Sequence, residues 1–170
     1  DGGKTFTSVD VTDQIQVHGN GDGRECIEPI AVDPDNTDTI YAGGDVTGGK
    51  SALIKSTDGG KTWKPVEGYD ALGLFSGELK YPSWTDHMVR GTEPAKLYNE
   101  QNGIGCIHIE GGKVYVGTSV KGEPNVHVAS VKDDKFEAVK ALPNDNYPLS
   151  ITSDHNGNLF FTYIGGLAFA

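Results

Sequence analysis

STDGGKTW, Ser56 to Trp63, is the stretch whose reading decides the fold. A serine, an aspartate two on, a glycine two further and an aromatic three beyond that prescribe a compact hairpin. The Asp58 carboxylate can fold back onto the amides of its own turn, and Gly60 can take the positive φ that a side chain resists. Ser56 closes one apolar run (Ala52, Leu53, Ile54) and Trp63 opens another (Trp63 to Val66), so the turn joins two antiparallel strands. Trp63 is expected to leave the turn pointing into a core. Such a turn reads as architecture rather than as a ligand site.

These residues match the Asp-box, a motif that recurs once per blade in several β-propeller families, and the chain does repeat. From Pro29 it reads PIAVDP, an acidic turn DPDNTD, TIYAGG, a glycine-rich loop, ALIKSTD, the box turn and WKPV. Four short strands and three turns make one blade, residues 29–68. A second blade, residues 104–142, runs IGCIHIE, EGGK, KVYVGTS, the loop VKGEPN, VHVASV and FEAVKAL. Here Ser130 and Phe136 stand for Ser56 and Trp63 while Lys132 falls where the aspartate belongs, so this blade is expected to have lost its box. Residues 148–170 (LSITSD, HNGN, NLFFTYIGG) give the first half of a further blade, with no return strand expected. Residues 1–11 open on DGGKTF, the back half of another box, and Thr5 to Val11 reads as the closing strand of an earlier blade.

The second strands align Tyr41, Tyr115 and Phe160. The excess residues between the first two lie in an inter-blade loop, 69–103, which carries Tyr69, Phe75, Tyr81, Trp84 and Tyr98 and is expected to be ordered. The fold expected is all-β: propeller blades of four antiparallel strands, two complete, with partial blades at each end.

Bulk composition agrees. In 170 residues there are 24 glycines, 8 prolines and one methionine, which favours tight turns over helix. A net charge of −10 leaves no basic surface for nucleic acid and disfavours polyanionic substrates, so a neutral polymer suits the chain best. No apolar run reaches membrane-spanning length. Cys26 and Cys106 match no metal-ligand spacing, and the sequence leaves open whether they pair.

Antiparallel alternation sorts the loops by side. Those from second to third strand, and from fourth strand to the next blade, share one face; box turns lie on the other. The expected ligand face is built from His18 to Glu28, Gly43 to Lys50, Glu67 to Gly103 and Val120 to Asn125. On it, Trp84 with Asp86, His87 and Arg90 forms the best sugar-binding cluster, a flat ring for a pyranose face beside polar groups for hydroxyls. Equally, Trp84 and Tyr81 can be the loop's own small core. Arg24 and Glu28 either contact substrate or brace the loop against each other. His108 and His127 read as solvated or satisfied strand positions, and the acidic turn Asp33, Asp35, Asp38 lacks the glycine and distal glutamate of a calcium loop. No metal site is expected.

The run GREC-IEPIAVDPDNTDTIYAGG, followed by ALIKSTDGGKTWKPV, resembles the propeller repeats of glycoside hydrolase family 74, the xyloglucanases and related endo-β-1,4-glucanases. Gly23, Arg24, Glu28, Ala31, Val32, Asp33, Pro34, Tyr41 and Gly43 hold matching positions, while Glu25, Cys26 and Pro29 depart. KVYVGTSVKGEPNVHVAS and PLSITSDHNGNLFFTYIGG resemble the family's next two blades in order. The resemblance implies part of a seven-bladed propeller in a secreted enzyme with a second propeller across an open cleft. It implies a neutral plant polysaccharide such as xyloglucan as substrate, no cofactor, and two aspartates acting by inversion. It places both aspartates outside this chain, so these residues are expected to form cleft wall. Asp45, in the loop YAGGDVTGG, is the one alternative catalytic candidate. Two other readings stand beside the enzyme: a non-catalytic Asp-box propeller binding protein or glycan, as in sortilin-like receptors and assembly factors, and, less favoured, a sialidase.

Overall fold

A computed structural model describes residues 3–15, 29–44, 51–74, 104–118, 124–140, 142 and 148–163, and the backbone of 166–169. The strands β1 (Ile30–Val32), β2 (Ile40–Gly43), β3 (Leu53–Ser56) and β4 (Lys64–Pro65) ladder in chain order into one antiparallel sheet. Four more, β5 (Ile104–Glu110), β6 (Lys113–Thr118), β7 (Val126–Ser130) and β8 (Glu137–Ala138), make a second sheet of the same order. The third sheet has β9 (Pro148–Ser153), β10 (Leu159–Tyr163) and β11 (Gly166–Phe169). One helical turn, α1 (Glu67–Asp70), follows β4. These are two four-stranded propeller blades and a third sheet, as the repeat predicts. The third goes further than expected, because the chain does return: β11 pairs back along β10 from Tyr163↔Gly166 to Phe160↔Phe169. Residues 5–10 are exposed and form no strand, and the segment then anchors at Ile15, which is buried.

The box turn closes on itself. The Ser56 hydroxyl donates to Asp58 Oδ1 at 2.8 Å and accepts the amides of Asp58 and Gly60, while Asp58 Oδ1 accepts the amides of Lys61 (3.0 Å) and Thr62 (2.9 Å). Thr62 Oγ1 donates to Asp58 Oδ2 at 2.6 Å. These bonds favour the ionised carboxyl and hold the Asp58 pKa down at about 2. Gly60 has φ +86° and Gly59 φ +70°. Trp63 differs from its expected role: it is half-buried over its own turn, its indole Nε1 donating to Gly60 O at 3.0 Å, rather than entering the blade core. An aromatic with a polar edge settles where that edge finds an acceptor.

The second turn differs in register from its sequence reading. Ladder pairs Lys55↔Lys64 and Val128↔Glu137 bracket turns of equal length, residues 56–63 and 129–136. Phe136 stands at the place of Trp63 as expected. With Tyr41↔Lys55 equivalent to Tyr115↔Val128, however, Ala129 rather than Ser130 falls opposite Ser56, and Val131 takes the place of Asp58.

The core lies between blades. One apolar cluster fills the seam between the first two, with Tyr41, Leu53, Val66 and Tyr69 against Ile104, Ile109, Val114 and Val116. Another fills the next seam, with Cys106 and Val126 against Ile151, Phe161 and Tyr163. Strand alternation produces this directly: Val114 and Val116 face backward, Tyr115 and Gly117 forward. At each seam a glycine lets the next blade close in. A Cβ on Gly43 would lie 2.5 Å from the Ile104 Cβ, and one on Gly117 would lie 2.5 Å from Cys106 Sγ and 2.6 Å from the Pro148 ring. Ile104 N also donates to Gly44 O at 3.0 Å, tying the two blades through backbone. Tyr69 wedges into the first seam, edge-on to Phe136 at 5.1 Å and to His127 at 6.2 Å between ring centroids.

Three outcomes follow from this packing. Gly43→Ala forces the Ile104 contact apart and is expected to cost about 1–3 kcal/mol in denaturant unfolding. Tyr69→Phe removes a buried hydroxyl that has no partner among the described residues. It should therefore leave stability unchanged or raise it, whereas a loss beyond about 1 kcal/mol would reveal a bonded hydroxyl. The folded-state pKa of Asp58 lies below its ordinary 3.8, so its contribution is present above about pH 4 and lost as pH falls toward 2. Asp58→Asn should flatten that part of the stability profile, read as Tm against pH.

Candidate functional site

Because strands alternate, β2–β3, β4–β5, β6–β7 and β8–β9 connections emerge on one face, and the turns after β1, β3, β5, β7 and β9 on the other. The first is the candidate ligand face. On the first blade its rim is fixed at both ends of the 45–50 loop: Gly44 N donates to Ala52 O at 2.9 Å and Ser51 N to Gln14 O at 3.1 Å. The Ser51 hydroxyl donates to Asp70 Oδ2 at 2.7 Å, so α1 is tied to the same rim. Asp70 and Glu67 are exposed carboxylates on this turn.

The second blade adds a depression of about 290 Å³, lined by Pro124, Asn125, Ala138, Val139, Lys140 and Leu142. Among its described lining residues most are apolar, and Lys140 is the charged one, exposed at the edge. Asn125 is buried beside it, and its carbonyl accepts the Thr118 amide at 2.9 Å. Neither Asp70 nor the 139–142 connection was singled out in the sequence. The signal for the connection was available, since it joins a fourth strand to the next blade's first. Asp70 carries no motif, and only its bond to Ser51 reveals its place.

The sequence-chosen residues Arg24, Glu28, Asp45, Trp84, Asp86, His87 and Arg90 all lie outside the described residues, as does Cys26. Other sequence candidates are placed. Cys106 is a buried free thiol directed at Pro148 O, and burial pushes its pKa up to about 12, so it is no nucleophile. His127 is buried rather than solvated: it is 2% exposed, its Nδ1 has no partner among the described residues, and burial lowers its pKa. His108 is held below the ordinary histidine range by burial, against the opposing pull of Glu110. In the acidic turn, Asp33 is buried and accepts the Asp35 amide at 3.0 Å, an Asx turn closing its own loop. Among the described residues no group of three or more His, Cys, Asp or Glu side chains is arranged to hold a metal ion.

No protein-family model matches the chain. A xyloglucanase of Hypocrea jecorina is 28% identical over 134 residues, 79% of this chain and 15% of that protein. A probable oligoxyloglucan-reducing end-specific xyloglucanase of Neosartorya fischeri is 34% identical over 103 residues, 61% of this chain and 12% of that protein. The chain thus spans a small part of the relatives it matches. The solved structure of the GH74 enzyme of Niastella koreensis superposes with a TM-score of 0.62 at 27% identity, covering 96% of this chain and 21% of that one. The GH74 xyloglucanase of Xanthomonas campestris superposes with a TM-score of 0.55 at 21% identity, over 79% of this chain and 18% of that one, a likeness of fold. In sequence and in backbone, this chain is similar to the glycoside hydrolase family 74 enzymes.

Proposed function

We propose that the protein carrying this chain is a secreted glycoside hydrolase that cleaves internal β-1,4-glucan linkages in xyloglucan, and that these residues wall its cleft. The observation that carries the reading is the match, across 79% of the chain, to a protein named as a xyloglucanase. The inverting mechanism needs two carboxyl groups far enough apart to admit a water, about 6.5–9.5 Å. On this reading both lie outside the chain, Asp45 contacts substrate, and Trp84 stacks on a glucosyl face while Asp86, His87, Arg90, Arg24 and Glu28 bond its hydroxyls. Ile30 and Val32, 65% and 48% exposed on β1, support a further blade packed on that side. A second propeller faces this one across the cleft. A chain net charge of −10 suits a neutral polysaccharide better than a polyanionic one.

The complete protein should release oligosaccharides from tamarind-type xyloglucan. Trp84→Ala is expected to raise KM by about tenfold. Asp45→Ala should lower kcat/KM by less than about a hundredfold, since removing a general acid or base costs about 10²–10⁴. No release from xyloglucan would sink the enzyme reading in favour of a binding propeller, and a larger loss at Asp45 would make it catalytic.

A further inference from the structure

We propose that the second blade's turn, residues 129–136, having lost the box, has been reassigned as a latch that fastens this blade to the preceding one through Asp134. In the first blade the box carboxylate is spent on its own turn. In the second, Val131 occupies that place and offers no acceptor, and the turn is closed by lighter means: Ser130 Oγ accepts the Lys132 amide at 3.2 Å and Asp133 Oδ1 accepts the Lys135 amide at 3.2 Å. Asp134 is left free to turn outward, and it turns toward the first blade.

Three elements of that blade meet it. The Tyr41 hydroxyl, from the middle of β2, donates to Asp134 Oδ1. The Lys55 ammonium, from β3, donates to Asp134 Oδ2 at 2.8 Å and also to Val131 O at 2.7 Å. Its nitrogen lies 5.0 Å from the centroid of the Tyr41 ring. On the third side Gly68, in α1, packs so close to the Asp134 carbonyl that any Cβ there would overlap it. Asp134 reaches this position with φ +52°, a left-handed backbone that aspartate tolerates better than most residues but still resists. Backbone strain and a desolvated cation are both compensated by the same carboxylate: the Lys55 and Asp134 side chains are 14% and 24% exposed, and removal of either leaves the other short of a partner.

The latch therefore does more than close a turn. It fixes α1, and with it the Tyr69 wedge, against the second blade, at the root of the 69–103 connection. It thereby sets how the ligand-face edges of two blades stand to one another, whatever ligand they meet.

The test compares Asp134→Gly, Asp134→Asn, Lys55→Met and the double variant Lys55→Met/Asp134→Asn in the complete protein. Were Asp134 merely a turn residue, Asp134→Gly would relieve the positive φ and stabilise or leave unchanged. The latch requires the opposite, a lower unfolding midpoint. It also requires non-additivity, the double variant losing no more than the worse single variant. Amide hydrogen exchange gives a second readout: at Val66, Tyr69, Ala71 and Leu72 it should accelerate by about tenfold or more in Asp134→Gly, with β6 unchanged. A stable Asp134→Gly, additive losses, or unchanged exchange at those amides would overturn the proposal. If Lys55→Met fails to fold, Asp134→Gly and Asp134→Asn with exchange still decide it.

Discussion

The blades of this chain meet across glycine. At Gly43 and Gly117 the absent side chain leaves just enough room for the first strand of the next blade: an added Cβ would lie 2.5 Å from the Ile104 Cβ and 2.6 Å from the Pro148 ring, so no larger residue fits without displacement. The rest of the seam depends on that approach. The Ile104 amide can reach Gly44 O only if the strands are this close, and Pro148 can lie over β6 only where Gly117 presents bare backbone. Since each four-stranded sheet has two faces and little core of its own, the apolar area that stabilises the fold is buried between sheets. Large side chains at these two glycines would open every contact in the seam at once.

Each seam is also pinned by a carboxylate toward the face opposite the candidate ligand face, but from opposite directions. In the first, Asp134 of the later blade reaches back to Tyr41 and Lys55. In the second, Glu110 of the earlier blade reaches forward, accepting from Ser153 Oγ at 2.9 Å and lying 3.2 Å from His155 Nδ1. The Ser153 bond, together with the two histidines, holds the Glu110 carboxyl below its usual range. Ser153 and Glu110 share the same nitrogen of His155, so this serine, histidine and glutamate are not a nucleophilic relay, which needs the two ring nitrogens to serve different partners. The arrangement is a staple. Between these pins the seams are apolar and leave Tyr69, His127 and Tyr163 with unpartnered polar atoms, a cost the surrounding packing must offset.

What the sequence made legible was local. The box, the Tyr-x-Gly strand ends and the period-two alternation each depend on residues within a few positions, and the two four-stranded blades follow from them. What it hid was the partner across the seam. Asp134 bonds residues 93 and 79 positions away, and nothing near it in sequence distinguishes it from Asp133. The one-residue offset of the 129–136 turn has the same cause: Ser130 looks like Ser56 in the string, and only the ladder, which pairs Val128 with Glu137, places Ala129 there instead. Trp63 was assigned to a core because aromatics at strand starts commonly are, yet the nearest acceptor for its N–H was Gly60 O. As for the candidate site, strand alternation assigns a face to a loop and says nothing of where a side chain on it points, so Trp84 and its neighbours rest on chemistry alone.

The two faces also divide the chain's acidity, which bears on what it can hold. Asp33, Asp58, Asp133 and Asp154 all sit in turns opposite the candidate ligand face and accept backbone amides there. Asp134 and Glu110, on the same side, are committed to neighbouring blades. These carboxylates are consumed by architecture, and Asp58 and Asp154, with pKa values near 2, stay ionised for it at any ordinary pH. On the candidate ligand face the described residues include the exposed charges Glu67, Asp70 and Lys140. The described carboxylates opposite that face therefore serve the fold, holding turns and seams, rather than presenting free charge.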